Sequence, residues 1–591
     1  VIFTQYYLAC LSHASYLIGD ETTGRAVVVD PQRDVGGYLR DAGTQGVTIE
    51  RVIETHVHAD FLSGHLELAA RAGSTISYGR GAETEFAIEP LDDGQTLSLG
   101  EVRLEIFATP GHTPESISIV VFEHPDDDVP YGVLTGDALF IGDVGRPDLL
   151  AASGAGLRAD QMARQLYGSL HGKLLALPDA TRVFPAHGAG SACGKHLSTE
   201  TESTIGAERD HNYALALMSE DEFVDAVLEG QPVKPHYFEF DAHRNREARP
   251  LLADDAPPPA LELAAVLGLQ ADGASLLDAR EPADFATGHL QAAINVGLQG
   301  RFAEYAGDVL APDSPVVLVG DPATALEVKL RLARIGFDRV LGQLDDLGRV
   351  FHERPELVEP SSRLTIEQLA ERRVDLSSLT LIDVRGPGET AAGTIPGALE
   401  ISLPVLVDMI GGLDPTRPTV TYCAGGYRSS IGASVLRAAG FVDVSDVIGG
   451  FQAWRDAGLP ITGGATDTGA PAPTLATADH HAEPVDARDA QHLLGEGAVL
   501  LDVREADEWE AGHAPDAVWI PMGQVHDRRG ELAADRRLVV ACRVGGRSAA
   551  ITDVLTAYGF DAVNLEGGMR AWAAAGLPVV VDARGAPGTV I

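Results

Sequence analysis

The residues best equipped for chemistry fall into two sets. In the first third of the chain, side chains able to hold a metal recur at spaced positions: Thr55-His56-Val57-His58-Ala59-Asp60, then Gly111-His112, Gly136-Asp137 and Ala186-His187. Far downstream, Cys423-Ala-Gly-Gly-Tyr-Arg428-Ser429 and Cys542-Arg-Val-Gly-Gly-Arg547-Ser548 repeat one pattern, Cys-x-x-Gly-x-Arg-Ser. Imidazole nitrogens and a carboxylate suit a divalent transition metal, and two His with one carboxylate on one face leave positions open for substrate and oxygen. Zinc accepts nearly the same donors. In the cysteine loops, successive backbone N–H groups around Gly425, Gly426, Gly545 and Gly546, with Arg428 and Arg547, form an anion-binding turn that favours a thiolate.

Such donors need rigid elements to bring them together. Short β-type runs read AVVVD (26–30), RVIETH (51–56), LEIFATP (104–110), SISIVVF (116–122), GVLTGD (132–137) and RVFPAH (182–187), with a helix-like stretch at 63–73. Each candidate ligand falls at or just after such a run, so ligands distant in sequence can converge on one edge of a sheet scaffold. Each cysteine loop likewise follows a β run, and an amphipathic helix such as Ser429 to Ala439 follows it. That order implies a parallel sheet with helices on its faces.

The remainder of the chain repeats itself. Leu276-Leu-Asp-Ala-Arg280, Leu381-Ile-Asp-Val-Arg385 and Leu500-Leu-Asp-Val-Arg504 each precede a Gly-Phe pair, 58 residues after the Asp in the first copy and 57 in the other two. Copies two and three also share an ending, GGFQAWRDAGLP and GGMRAWAAAGLP. Where they carry cysteine, the first copy reads Leu318-Val-Gly-Asp-Pro-Ala-Thr324, with neither Cys nor Arg. Pro250–Pro259, Arg354–Ser362 and Thr462–Pro484 read as linkers by composition, the last as the flexible one. The expected domains are therefore 1–248, 258–353, 361–463 and 484–582.

Composition bounds the function. Among 591 residues, 44 basic and 86 acidic side chains give a net charge of −42, which disfavours nucleic acid and anionic membranes as partners. The four cysteines, Cys10, Cys193, Cys423 and Cys542, are scattered and form no disulfide framework. No run of about 18 apolar residues occurs, and the start has no signal-peptide pattern. The expected setting is a cytoplasmic one with reduced thiols. Nothing here fixes the oligomeric state, and a homo-oligomer is compatible with it.

The ordered run HVHADF, PGHTPES, TGD and PAHG resembles the metallo-β-lactamase superfamily, in particular its persulfide dioxygenase branch related to glyoxalase II. The resemblance covers about 245 residues and implies an αββα fold. It also implies one Fe(II) per chain held by His56, His112 and Asp137, with His58, Asp60 and His187 orienting ligands or water. Binuclear members place a second-metal His after the motif Asp; this chain has Phe61, which argues for a single metal. Cys193, close in sequence to His187, is a candidate substrate contact; a buried small hydrophobe is the alternative. Arg146 is expected to order structure, and His65 to be structural.

Residues 255–582 resemble three rhodanese sulfurtransferase domains of α/β fold. Both cysteine loops have four residues between Cys and Arg, as in rhodaneses, which favours sulfur transfer over dephosphorylation. Cys423 and Cys542 are the implied nucleophiles, and the first copy is expected to be inactive. Copy two has Thr394 where rhodaneses often have His; copy three keeps His513. Together the resemblances imply oxidation of a low-molecular-weight thiol persulfide by O2 to sulfite and thiol, coupled to sulfane-sulfur transfer that makes or uses thiosulfate. The carrier thiol and the direction of transfer stay open. The rivals are a glyoxalase II-like zinc thioester hydrolase and a non-catalytic sulfur carrier or scaffold.

Overall fold

The computed structural model describes residues 1–149, 158–254, 256–372, 379–462 and 484–590, excepting 505, 522–524, 533–535, 544, 546–547, 549–550, 553–554, 557–559 and 582–587. The expected flexible linker thus lies almost wholly outside the described residues. The chain divides into two compact units, Val1–Pro360 and Ser361–Ile591.

In the first unit, two six-stranded sheets stack. One runs β1 (Ile2–Leu8), β2 (His13–Asp20), β3 (Arg25–Val29), β4 (Thr48–Ile53), β5 (Thr75–Gly79) and β6 (Glu89–Leu91) in sequence order. The other comprises β7 (Thr96–Ser98), β8 (Arg103–Ala108), β9 (Ile117–Phe122), β10 (Gly132–Gly136), β11 (Arg182–Pro185) and β12 (Ser203–Thr204), again neighbouring in order. Period-two alternation explains the stack: Tyr16, Ile18, Val27 and Val29 meet Ile106, Ile119, Val121 and Leu134 between the sheets. The opposite faces take helices. Leu17, Val28 and Val52 pack with Tyr38 and Leu68 from helices Gly36–Gln45 and His65–Ala72, while Val120 and Val133 pack with Leu166 and Leu170 of helix Ala159–Gly172. The expected αββα order holds, and β3, β4, β9, β10 and β11 match the β runs read from the sequence.

Each repeat has a parallel sheet. In strand order these are Ala293–Asn295, Ser275–Asp278, Val316–Val319, Val340–Leu344 for the first; Ser362–Leu364, Val444–Val447, Thr419–Tyr422, Thr380–Asp383, Leu399–Glu400 for the second; and Val518–Trp519, Val499–Asp502, Leu538–Ala541, Ala562–Asn564 for the third. The repeated Asp-x-Arg is an ion pair in all three, at 2.6 Å for Asp278 and Arg280, Asp383 and Arg385, and Asp502 and Arg504. Each Arg also donates to the carbonyl of Gly288, Gly393 or Gly512, clipping the strand end to the next loop.

The two linkers expected at 250–259 and 354–362 are tied to neighbouring elements by backbone hydrogen bonds. Val358–Glu359 pairs antiparallel with His289–Leu290 of the first repeat. Near the other, Pro250 O accepts from Arg33, and Leu252 N–H donates to Glu67 at 3.1 Å. Backbone hydrogen bonding to a neighbouring fold removes the freedom that Pro-rich and polar composition would otherwise confer.

Candidate active site

The metal-type donors converge where the strands end. β4 leads into His56, β8 into His112, β10 into Asp137 and β11 into His187. His56 Nε2 lies 3.8 Å and His112 Nε2 3.4 Å from Asp137 Oδ2, with the two imidazoles nearly perpendicular. All three side chains are buried and could hold one ion. Their other atoms are tied elsewhere: His56 Nδ1 contacts Thr55 Oγ1 at 3.0 Å, and His112 Nδ1 donates to Arg146 O at 2.9 Å. That leaves both Nε2 atoms for the shared point, and His56 Nε2 and Asp137 Oδ2 are buried without a hydrogen-bond partner. Buried polar atoms of this kind are costly unless a ligand or ion completes them, so the donor set fits a divalent metal.

Two glycines let the backbone close around this point. A Cβ on Gly136, whose φ is +53°, would sit 2.7 Å from Thr55 Oγ1, and one on Gly145 would sit 1.9 Å from Asp137 O.

His187 stands beside the trio as a bridge. Its Nδ1 donates to Asp137 Oδ1 at 2.8 Å and its Nε2 lies 2.7 Å from Asp60 Oδ2. Burial pulls the imidazole pKa down, but the Asp137 and Asp60 carboxylates outweigh it and raise it well above the ordinary value. Asp60 is held well below the usual carboxylate range, burial being overcome by His187, His58 and His13. Cys193 joins Asp60 and His187 in a second buried donor group, its thiol pushed well up by burial and then by the two carboxylates. Phe61 packs its ring 4.0 Å from that of His13 and 4.4 Å from that of His58.

His58 is turned away from the trio. Its Nε2 contacts Asp30 Oδ1 at 3.0 Å and Glu54 Oε2 at 3.3 Å. Burial lowers its pKa, yet these carboxylates raise it to about 10, and Glu54 falls to about 2. His65 also contacts Glu54, at 3.3 Å. Sequence reading missed several supports of the motif loop. Asp30 accepts the Thr55 N–H and hydroxyl, Glu115 accepts Val57 N–H at 2.9 Å, and Asn245 donates to the carbonyls of His58 and Phe61 while accepting Ser63 N–H. Asp30 ends the AVVVD run and could have been noticed there; Asn245 carries no sequence signal. Arg146 is a brace, pairing with Asp148 and donating to Ala192 O and Pro232 O.

The cysteine loops share one geometry. Gly426 N–H donates to Cys423 Sγ at 3.1 Å and Gly545 N–H to Cys542 Sγ at 3.1 Å, with Ser429 Oγ at 3.6 Å and Ser548 Oγ at 3.3 Å. A Cβ on Gly450 or Gly568 would lie 2.1 or 2.3 Å from the cysteine carbonyl, so these glycines let the following helix close under the loop. Arg428 makes a bidentate pair with Glu389 at 2.6 and 2.7 Å, which ties the loop to the helix Pro387–Thr390. Gly546 and Arg547 lie outside the described residues. Thr394 bonds Asp383 and Tyr422 Oη, whereas His513 stacks on Trp509. In the first repeat Asp321 caps helix Pro322–Ala333, its carboxylate accepting the N–H groups of Ala323 and Thr324.

Known protein families match both parts of the chain. Residues 8–187 match the metallo-β-lactamase superfamily, and residues 262–342, 365–457 and 486–575 match the rhodanese-like domain. The mitochondrial persulfide dioxygenases ETHE1 of Homo sapiens and Bos taurus are each 32% identical over 237 residues, which is 39% of this chain and 82% of theirs. A metallo-β-lactamase crystal structure from Staphylococcus aureus is 32% identical, with a TM-score of 0.53, and the match covers 58% of this chain and 98% of that one. The chain thus belongs to the persulfide dioxygenase family of the metallo-β-lactamase superfamily, extended by three rhodanese-like domains.

Proposed function

We propose that this protein oxidises a low-molecular-weight thiol persulfide and transfers sulfane sulfur at Cys423 and Cys542. The buried trio His56, His112 and Asp137 carries the reading, because it supplies three donors for one ion, and Phe61, an apolar residue directly after Asp60, favours one metal per chain. The balanced reaction is R-S-SH + O2 + H2O giving R-SH, sulfite and two protons. Ferrous iron held by the trio would supply oxygen activation and a binding point for the terminal sulfur.

The chain's own residues set the surroundings. His187, bridging Asp137 and Asp60, keeps Oδ1 of Asp137 engaged so that Oδ2 faces the donor point. Cys193, buried and neutral beside the same carboxylates, is a candidate contact for the sulfur substrate. At the rhodanese loops, the cysteine thiolate attacks the outer sulfur of a donor and releases the donor's remainder. The bound persulfide then passes that sulfur to sulfite, giving thiosulfate and restoring the thiolate; the reverse direction uses the same atoms. Glutathione, coenzyme A or another small thiol would serve as carrier. Four cysteines, all free, suit a reducing cytoplasm, and among the described residues no helix is long and apolar enough to cross a membrane.

Elemental analysis of anaerobically prepared protein, paired with O2 uptake on adding glutathione persulfide, tests the reading. About one iron per chain with rapid uptake and sulfite release supports it. The Asp60, His187 and Cys193 group favours a second reading, a two-zinc thioester hydrolase. Two zinc ions per chain, with thioester cleavage and no O2 uptake, would replace the first reading with that one.

A further inference from the structure

The cysteine-less first repeat keeps its fold while lacking the nucleophile, and the structure shows what part of it is in use. Its helix Pro322–Ala333 has the lost sulfur site at its start; its far end is docked on the metal domain. There, Arg334 O accepts the N–H of Leu62, two residues beyond Asp60, at 2.6 Å. The Arg334 side chain makes a bidentate pair with Asp34 at 2.8 and 2.7 Å and lies 3.8 Å from Cys10 Sγ in the loop leading to His13. From the metal domain, the buried Arg33 reaches back to Ala333 O at 2.8 Å and to Asp338. A second point of attachment is Arg301, which donates to Gly190 O in the loop joining His187 to Cys193. Two glycines of the repeat allow the close approach: a Cβ on Gly307 would lie 2.4 Å from the Tyr237 ring, and one on Gly336 2.4 Å from Asp241.

The repeats themselves supply an independent sign. Aligned on their Gly-Phe pairs, the copies read Arg334-Ile-Gly-Phe, Ala438-Ala-Gly-Phe and Ala557-Tyr-Gly-Phe. Arginine stands only in the copy that has lost its cysteine and docks on the metal domain. A bidentate guanidinium fixes angle as well as distance, which Lys cannot do.

We infer that the first repeat is a built-in support of the metal centre, with Arg334 and Arg301 as positioning residues that hold the loops carrying Asp60 and Cys193 and the loop leading to His13. The inference rests on the metal-site reading above but not on the identity of the substrate. Outer partners of a metal site set how tightly its ligands hold the ion, so the first measurement is the rate at which full-length protein yields its metal to a chelator. Arg334→Ala, Asp34→Ala and the double variant are compared with Arg339→Ala, an exposed position of the same repeat whose side chain reaches only Asp313 O.

Arg334→Ala and Asp34→Ala should each lose metal about five- to tenfold faster than wild type, the double variant should be no worse than either single one, and Arg339→Ala should match wild type. In persulfide oxidation the two single variants should lower kcat with KM little changed, and Arg334→Lys should restore only part of it. Sulfur transfer at Cys423 and Cys542, in the other unit, should be untouched, and circular dichroism and a thermal melt of each variant show that the mutated unit is folded. Folded single variants that retain metal and kcat like wild type overturn the inference, and so do additive effects in the double variant. Gly307→Leu checks the seam without touching either arginine: an unchanged metal-loss rate there also counts against it. If wild type binds metal yet consumes no persulfide, the proposed function fails while the metal-loss comparison still decides the support.

Discussion

His187 donates to Asp137 Oδ1 at 2.8 Å, and this one hydrogen bond decides which oxygen of Asp137 is left for a metal. With Oδ1 engaged, Oδ2 faces His56 and His112, and the carboxylate cannot rotate without breaking a charge-assisted bond.

Replacing His187 by Ala should therefore weaken metal binding about 10- to 100-fold, as loss of an outer partner does elsewhere. It also strands Asp60 and Asp137 as buried like charges, so the protein should be destabilised by about 3 kcal/mol. Chelator competition and thermal melts of the same preparation check both effects.

Phe61 follows Asp60 of the second donor group in sequence and packs its ring against His13 and His58. Phe61→His should raise the zinc bound by protein prepared with excess zinc from about one to about two ions per chain, with Asp60 and His187 as partners. It should cost about 1–3 kcal/mol when metal-free, because a polar ring replaces an apolar one in a buried position. Elemental analysis reads the stoichiometry; a value that stays near one would mean that Phe61 is not what limits the site.

Cys423→Ser and Cys542→Ser should each abolish sulfur loading at their own site and leave the other's intact, as judged by intact-mass and peptide analysis after incubation with thiosulfate. Arg428→Ala should lower the rate at Cys423 through loop disorder, with a stability loss of about 1 kcal/mol, since the Glu389 it pairs with is partly exposed. Loss of loading at both sites in either single variant would point to sulfur passing from one cysteine to the other.

Glu67 accepts from Arg249 at 2.7 Å and Arg33 at 3.3 Å in the buried base of the motif loop. Burial raises its pKa, but the two guanidiniums overcome this and hold it below the usual carboxylate range. A depressed folded value means that its stabilisation is complete above the unfolded pKa, about 4.3, and drains away as pH falls through the folded value. Melting temperature should drop on acidification below about pH 4.3. Glu67→Gln should flatten that part of the profile while lowering stability at neutral pH.

The order and type of the donors, the β runs before them and the threefold Asp-x-Arg repeat are local properties, so the αββα fold and the three parallel-sheet repeats were legible in the chain itself, and His56, His112 and Asp137, singled out there, lie together in the structure. A strand fixes where its next residue emerges, which is why His56, His112, Asp137 and His187 could be picked out by position. Composition marked 250–259 and 354–362 as linkers but carried no sign that their backbone groups bond to neighbours far away in sequence. Only the tertiary structure decided that His58 turns to Asp30, that Arg428 pairs with Glu389, that Asn245 holds the motif loop, and that Arg334 reaches Asp34. Each of these depends on distances between residues tens to hundreds apart in sequence, set by how sheets, helices and repeat pack against one another. Spacing along a chain carries no measure of that packing.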